Sequence, residues 1–382
     1  MDFELSTEQK ALVAEALRFA REELSCDVIA RDLAQAFPRD LWEKAGTQRI
    51  QGLAVPTAYG GRGLDSLSNA LVFEALGNGC TDGGLLFSIG AHLTTAVIPI
   101  WKFGTIEQQK RFLERLCDGS LIGVGALTEA EAGSDAFGIA TSARPERDGF
   151  VLNGSKRYIS NASIADITIV YAATGTAKGY HGGITAFIVE KGSPGLTVGE
   201  SLPKMGLRTS PLGILSLDNV FVPATAILGA LGGGSAIFSA AMDWERVLLM
   251  ACHVGTMQRL LDRAIAYSRG RKQFGQAISK FQAVSHRLVD MKVRLEASRL
   301  LVYRAAANLD RVRTVSLDAA VAKLFASESY IDLALGCIRT HGASGYLTES
   351  ELERPFRDAV GSAIYSGTSD IQRNIIARWL GL

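Results

Sequence analysis

Polar and apolar positions divide the chain into three stretches with different periods. In the first, Ser6 with Gln9 three residues on reads as a capping box opening an amphipathic helix to about Leu24. A glycine-rich turn, Tyr59-Gly60-Gly61-Arg62-Gly63, follows. Helical patterning resumes at about Leu67 to Leu76 and Leu85 to Phe103, where Pro99 is predicted to bend or end the helix. From Leu121 the runs shorten. Phe150-Val151-Leu152, Asp166 to Ala172, Ile184 to Val189 and Ile214 to Val222 are β-branched or alternating, with Gly, Asn and Pro between them. That pattern predicts a small antiparallel β domain ending around Pro223 to Gly234. One helix is then predicted over Ser235 to Ser268 and another from near Phe281. In the latter, Val284, Leu288, Met291, Leu295, Ser298 and Val302 recur at alternating steps of four and three, a bundle seam. The expected class is α+β, with domains over 1–120, 121–230 and 231–382.

Composition narrows the function classes. A chain of 382 residues holds two or three domains. A balance of 40 Lys+Arg against 39 Asp+Glu gives +1, which argues against nucleic-acid or membrane binding driven by bulk charge. The start, Met1-Asp2-Phe3-Glu4, is acidic with no apolar segment after it, so no secretory signal is expected. No run reaching the roughly 18 apolar residues of a membrane span is expected either. The five cysteines are scattered without a Cys-x-x-Cys pair, which predicts neither a metal site nor a disulfide framework. A cytoplasmic location follows as the expectation.

Four separated motifs carry chemistry. They are Leu127-Thr128-Glu129 with Ala132-Gly133-Ser134-Asp135; Asn153 to Asn161; Arg271-Lys272-Gln273-Phe274-Gly275 with Phe281-Gln282; and Tyr365 to Arg373. In order and spacing they resemble the acyl-CoA dehydrogenase family across about the whole chain. The resemblance implies a helical N-terminal domain, a middle antiparallel β-barrel and a C-terminal helical bundle that bind FAD. Leu127, Thr128, Gly133 and Ser134 would contact the flavin's ring or phosphate side. Tyr158, where tryptophan is common, would cover a ring face, and Ser160 would sit by the hydride-accepting nitrogen. Arg271, with Phe274 and Gln282, would reach the cofactor of a neighbouring subunit, which implies a homo-oligomer, a tetramer in the expected form. Arg339, in place of a usual glutamine, together with Gly342, Thr368 and Asp370, completes the cofactor set.

The base has moved. At Ser366 the family usually carries a glutamate that takes the proton alpha to a thioester, and a free serine is a poor base at neutral pH. Trp244-Glu245-Arg246 puts a carboxylate at a second place where some branches keep the base. Glu245 shares a helix face with Phe238, Ala241, Met242, Leu248, Leu249 and Cys252, while Asp243 and Arg246 are spaced to pair with each other. A carboxylate in apolar surroundings has a raised pKa, suited to a general base. The competing reading is a surface ion pair. The Ser366 backbone N–H would polarise the thioester oxygen.

The resemblance implies an acyl thioester, on CoA or on a phosphopantetheine carrier protein, as the substrate. Several stretches resemble a narrower branch, the prolyl-carrier-protein dehydrogenases that make pyrrole-2-carboxyl units. They include Gly79-Cys80-Thr81-Asp82 with Leu85 to His92, and Ser366 to Asp370. Asp82, His92, Arg246, Tyr365 and Gly367 are the candidate substrate contacts. For Asp82 a helix cap, and for His92 a satisfied core histidine, are the competing readings. Oxygen or an electron-transfer flavoprotein is the expected electron acceptor, and the rival functions are ordinary acyl-CoA oxidation, with electrons leaving through an electron-transfer flavoprotein, and a flavin-dependent oxygenase on the same fold.

Overall fold

The computed structural model describes residues 4–175, 183–311 and 315–382; Met1 to Phe3 of the acidic start lie outside them. The capping box forms as patterned. Ser6 Oγ accepts from Gln9 N, and Gln9 Oε1 from Ser6 N, both at 3.1 Å, at the head of helix Thr7–Glu23. Helix Ser66–Gly79 is almost wholly buried and packs on both Thr7–Glu23 and the long helix Gly234–Gly270. Gly77 and Gly255 permit the latter approach. A Cβ on either would fall 1.9 Å from a carbonyl oxygen of the opposing helix.

Pro99 does not end its helix. The chain runs Gly83–His92, widens into a π-helical turn over Leu93–Val97, and continues as Ile98–Phe103. The wide turn accommodates the missing N–H and the ring of Pro99 upstream of it. The combined 21-residue stretch Gly83–Phe103 is apolar enough to cross a bilayer by length and composition, which corrects the expectation that no such run exists. It is a core helix here, since 83 % of its most apolar window is buried inside the protein.

The middle of the chain forms an eight-stranded sheet. Its strands are β1 Gly123–Ala126, β2 Ser142–Glu146, β3 Gly149–Ser160, β4 Ile167–Ala173, β5 Ile184–Glu190, β6 Leu196–Val198, β7 Leu212–Pro223 and β8 Ile227–Leu228. The paired path is β6-β7-β3-β2-β4-β5-β8, with β1 on β4. The sheet is mixed, which corrects the antiparallel expectation: β1 and β4 are parallel, Gly123 facing Ile167. One clamp starts both strands. Ile122 O accepts from the N–H groups of Asp166 and Ile167, and Asp166 Oδ2 accepts from Ile122 N, so the two leave side by side in the same direction. Their interior is apolar, with Phe150, Leu152, Val170, Phe187 and Val220 in one cluster.

The C-terminal stretch is helical as patterned. The long helix runs Gly234–Gly270 and a second, Gln282–Leu309, starts from Phe281. Of the expected seam, Met291, Leu295, Ser298 and Val302 are buried, while Val284 and Leu288 are half-buried. Helices Ser316–His341, Glu353–Ser362 and Ser369–Trp379 complete the bundle.

Candidate active site

A cavity of about 640 Å³ opens where the sheet meets the two helical domains. Its walls include Leu127, Thr128, Gly133, Ser134, Tyr158 and Ser160 from the sheet side. From the helices come Glu245, Arg246, Tyr365, Ser366, Gly367 and Thr368. Twelve of the residues singled out by sequence therefore line one space.

The sheet side is built on a buried ion pair. Lys156 Nζ lies 2.7 Å from Glu129 Oε1 and donates to Leu127 O at 2.9 Å, with Lys156 fully buried. Glu129 also accepts from the N–H groups of Ala140 at 2.7 Å and Thr141 at 3.0 Å. These bonds hold Glu129 ionised with a pKa below the usual value against the opposing effect of burial. They fix the Leu127-Thr128 backbone, which is tied again by Arg157 N donating to Thr128 O at 2.9 Å. At Tyr158, φ of +60° falls within a register break between Lys156 and Ile159, and the side chain stays 54 % exposed beside the cavity. A Cβ on Gly133 would meet nothing within 4 Å, so this edge of the cavity is open.

The helical side carries the carboxylate. Glu245 is buried on the long helix among apolar neighbours, and burial raises its pKa to about 7. The Ser366 hydroxyl and then the Arg246 guanidinium pull it back down. Arg246 is otherwise engaged. Its Nη1 lies 3.4 Å from Asp243 Oδ1, and its Nε donates to Ser366 O at 3.1 Å. Asp243 in turn accepts from Ser316 Oγ at 2.9 Å.

The turn at Ser366-Gly367 is held in an unusual conformation. Both residues have positive φ, +56° and +86°. Such backbone in a non-glycine residue stores strain and persists only where the surroundings impose it. Gln372 Nε2 imposes it by donating to Ser366 O at 3.1 Å and Gly367 O at 2.9 Å. The Ser366 N–H takes part in none of the hydrogen bonds that pin the turn among the described residues. Among the described residues Ser366 Oγ is buried and has no partner at standard hydrogen-bond distance and angle, so it acts on Glu245 as a nearby polar group that favours the ionised form.

Two sequence-based substrate contacts are overturned, because both side chains are consumed by the scaffold outside the cavity. Asp82 caps helix Gly83–His92 by accepting from Leu85 N at 3.0 Å, and Thr209 Oγ1 donates to the same oxygen. His92 accepts from Gly123 N at 2.9 Å through Nδ1, and its Nε2 lies 3.0 Å from Leu116 O. Burial pushes its pKa down to about 4, so it is a neutral core histidine that docks β1.

Another group lies outside the cavity. Arg271, Phe274, Gln282, Arg339, Gly342 and Asp370 are all exposed. Phe274, 93 % exposed, occupies with Gly275 the tip of a hairpin pairing Lys272–Gln273 with Gln276–Ala277. The sequence reading also passed over cavity residues, among them Phe87, Tyr171, Leu207 and Asp358. Asp358, buried with a pKa raised to about 6, accepts from Leu207 N at 2.5 Å. Gly206 was the available signal, since a Cβ there would strike Arg357 O at 2.4 Å.

Comparison with known proteins follows the same three segments. Acyl-CoA dehydrogenase N-terminal, middle and C-terminal domain models match residues 6–120, 125–220 and 232–381. The chain belongs to the acyl-CoA dehydrogenase family. An L-prolyl-[peptidyl-carrier protein] dehydrogenase of Serratia sp. is 42 % identical over 382 residues, covering 100 % of this chain and 99 % of that one. The short-chain-specific acyl-CoA dehydrogenase of Megasphaera elsdenii is 38 % identical, with 97 % of each chain covered. Among solved structures, PigA with FAD and proline superposes with a TM-score of 0.98 at 42 % identity, covering 100 % of both chains. The prolyl acyl carrier protein oxidase AnaB gives 0.97 at 42 % identity, covering 99 % of this chain and 100 % of that one. This family member is accordingly an FAD-dependent oxidoreductase of the type acting on CH–CH bonds. The cavity suits that cofactor: an open edge at Gly133, hydroxyls at Thr128, Ser134 and Ser160, and the half-exposed Tyr158 ring give polar contacts and an aromatic cover.

Proposed function

We propose that the protein desaturates an acyl thioester held on a phosphopantetheine arm, with an L-prolyl group on a carrier protein as the favoured substrate and a pyrrole-2-carboxyl thioester as the end product. The observation that carries the reading is Glu245, a buried carboxylate with a pKa near 7, beside a turn that has lost its own carboxylate. Near neutral pH a substantial fraction of Glu245 is ionised, and it removes the proton alpha to the thioester. Arg246 and Gln372 hold the Ser366 carbonyl and leave the Ser366 N–H to donate to the thioester oxygen as negative charge develops there. Leu127, Thr128, Gly133, Ser134, Tyr158, Ser160 and Thr368 hold the flavin. When bound, FAD would supply the hydride acceptor for one two-electron oxidation; the pyrrole needs a second, so oxygen or an electron-transfer flavoprotein takes the electrons from the flavin between the two.

Likeness to prolyl-carrier-protein dehydrogenases over the whole chain supports the prolyl substrate. The exposed Arg271, Phe274, Gln282, Arg339 and Gly342 complete the flavin site of a neighbouring subunit in a homotetramer, and the enzyme works in the cytoplasm in natural-product assembly. Ordinary acyl-CoA oxidation is the second reading, supported by the short-chain relatives. Anaerobic mixing with prolyl-carrier protein and with a panel of acyl-CoAs separates the two. The prolyl thioester is expected to bleach the yellow colour fastest, and faster bleaching by a simple acyl-CoA overturns that substrate.

A further inference from the structure

The cavity stops short along the long helix. Ala241, Met242, Glu245 and Arg246 line it, and nothing from the next two turns does. His253 stands eight residues beyond Glu245, about 12 Å along the helix axis. Tyr365 closes the interval. Its ring faces the cavity, with its centroid 4.8 Å from that of Phe87, while its hydroxyl turns away and is hydrogen-bonded to His253 Nε2. His253 stacks on Tyr330 with 4.8 Å between centroids and 24° between planes, and both side chains are buried. The cavity therefore ends on an aromatic layer, Phe87 and Tyr365, backed by a second, His253 and Tyr330.

The hydrogen bond makes this floor rigid. Swinging Tyr365 aside to admit a longer chain would leave a buried hydroxyl and a buried imidazole unpaired. His253 does not act as a proton relay, because burial keeps it neutral with a pKa of about 3. An apolar side chain at 253 would fill the space equally well without fixing where the tyrosine ring points.

We propose that His253 is a positioning residue that locks Tyr365 as the cavity floor and so restricts the acyl group to a short or compact one, the size of a five-membered ring. The inference rests on the thioester reading above and names its substrate class.

The test uses the flavin-loaded enzyme with prolyl, butanoyl and octanoyl groups on the same carrier, reading the rate constant of anaerobic bleaching. The wild type is expected to take octanoyl roughly a hundredfold more slowly than butanoyl, about 3 kcal/mol of discrimination. His253→Ala is expected to raise the octanoyl-to-butanoyl ratio at least about tenfold without moving the pH profile. Tyr365→Phe, which keeps the ring and cuts the bond, is expected to shift the ratio less and in the same direction. A wild type that takes octanoyl as fast as butanoyl overturns the proposal, as does an unchanged ratio in both variants at full flavin content. Should His253→Ala fail to hold flavin, Tyr365→Phe decides the question. If no thioester bleaches the wild type, the dehydrogenase reading itself falls, a different and recognisable outcome.

Discussion

The residues singled out for the flavin and the substrate fall into two regions built in opposite ways. Those at the cavity are mostly buried or half-buried, with Gly133, Ser134 and Tyr158 exposed at its open edge, and they are braced from behind, by Lys156 under Leu127 and by Gln372 under Ser366. Those on the hairpin at Arg271–Ala277 and around Gly342 are exposed and line no part of the cavity. Phe274 sharpens the contrast: a large apolar ring, 93 % exposed, held at a φ of +50°. Within the chain the ring meets the edge of Phe281, with 6.0 Å between centroids, and most of its apolar surface is left for another surface to cover. On the reading proposed above, this motif serves a ligand in a site that its own chain does not enclose.

Breaking the cavity region has the largest expected effect. Glu245→Gln removes the base while keeping shape and burial, so it should leave the protein yellow and slow substrate bleaching by roughly 10²- to 10⁴-fold. Full-rate bleaching would remove Glu245 from its role. The same variant carries a stability signature. The folded carboxyl has its pKa raised from 4.5 to about 7, so the fold favours its protonated form. Its stabilising contribution is complete below pH 4.5 and is lost as pH rises through about 7. Glu245→Gln escapes that loss and should be more stable than wild type at pH 8, by up to about 3 kcal/mol, with the gap closing by pH 5. Thermal unfolding of both yellow proteins across that range measures it, and a gap independent of pH would show that Glu245 does not titrate in the fold as described.

Breaking the hairpin region should do the reverse. Arg271→Ala is expected to weaken flavin retention by about ten- to a hundredfold, the loss of one or two charge-assisted hydrogen bonds. Bleaching of the molecules that remain loaded should be nearly untouched. Flavin content per chain after dialysis, together with mass in solution, reads both halves of the claim. Unchanged flavin content would detach Arg271 from the cofactor.

The two regions were not equally legible. Periodicity found the long helix almost to the residue, because a buried helix 37 residues long leaves a long record. It also placed Glu245 in an apolar stripe, and its burial bears that out. The parallel β1–β4 pair was invisible, since Asp166 and Ile122 are joined by contacts that leave no periodic trace. Asp82 and His92 looked functional because buried polar groups attract attention, yet each is spent on a backbone partner that pattern alone cannot identify. His253 passed unnoticed for the converse reason. It sits in a run of apolar residues, and only the fold brings Tyr365 and Tyr330 to it.

The smallest expected effect tests how the cavity region divides its labour within one residue. On the proposed reading Ser366 offers the thioester a backbone N–H, while its hydroxyl has no partner in hydrogen-bond geometry among the described residues. The N–H is held by the φ of +56° and by the bonds to its own carbonyl, neither of which needs the side chain. Ser366→Ala should therefore bleach within about threefold of wild type at pH 8, well under the roughly 10²-fold floor for losing the base. The hydroxyl does lower the pKa of Glu245, so its removal should move the acid limb of the pH profile upward, making the variant slower at pH 6 than at pH 8 relative to wild type. A uniform collapse at every pH would mean that the side chain, and not the backbone, meets the substrate.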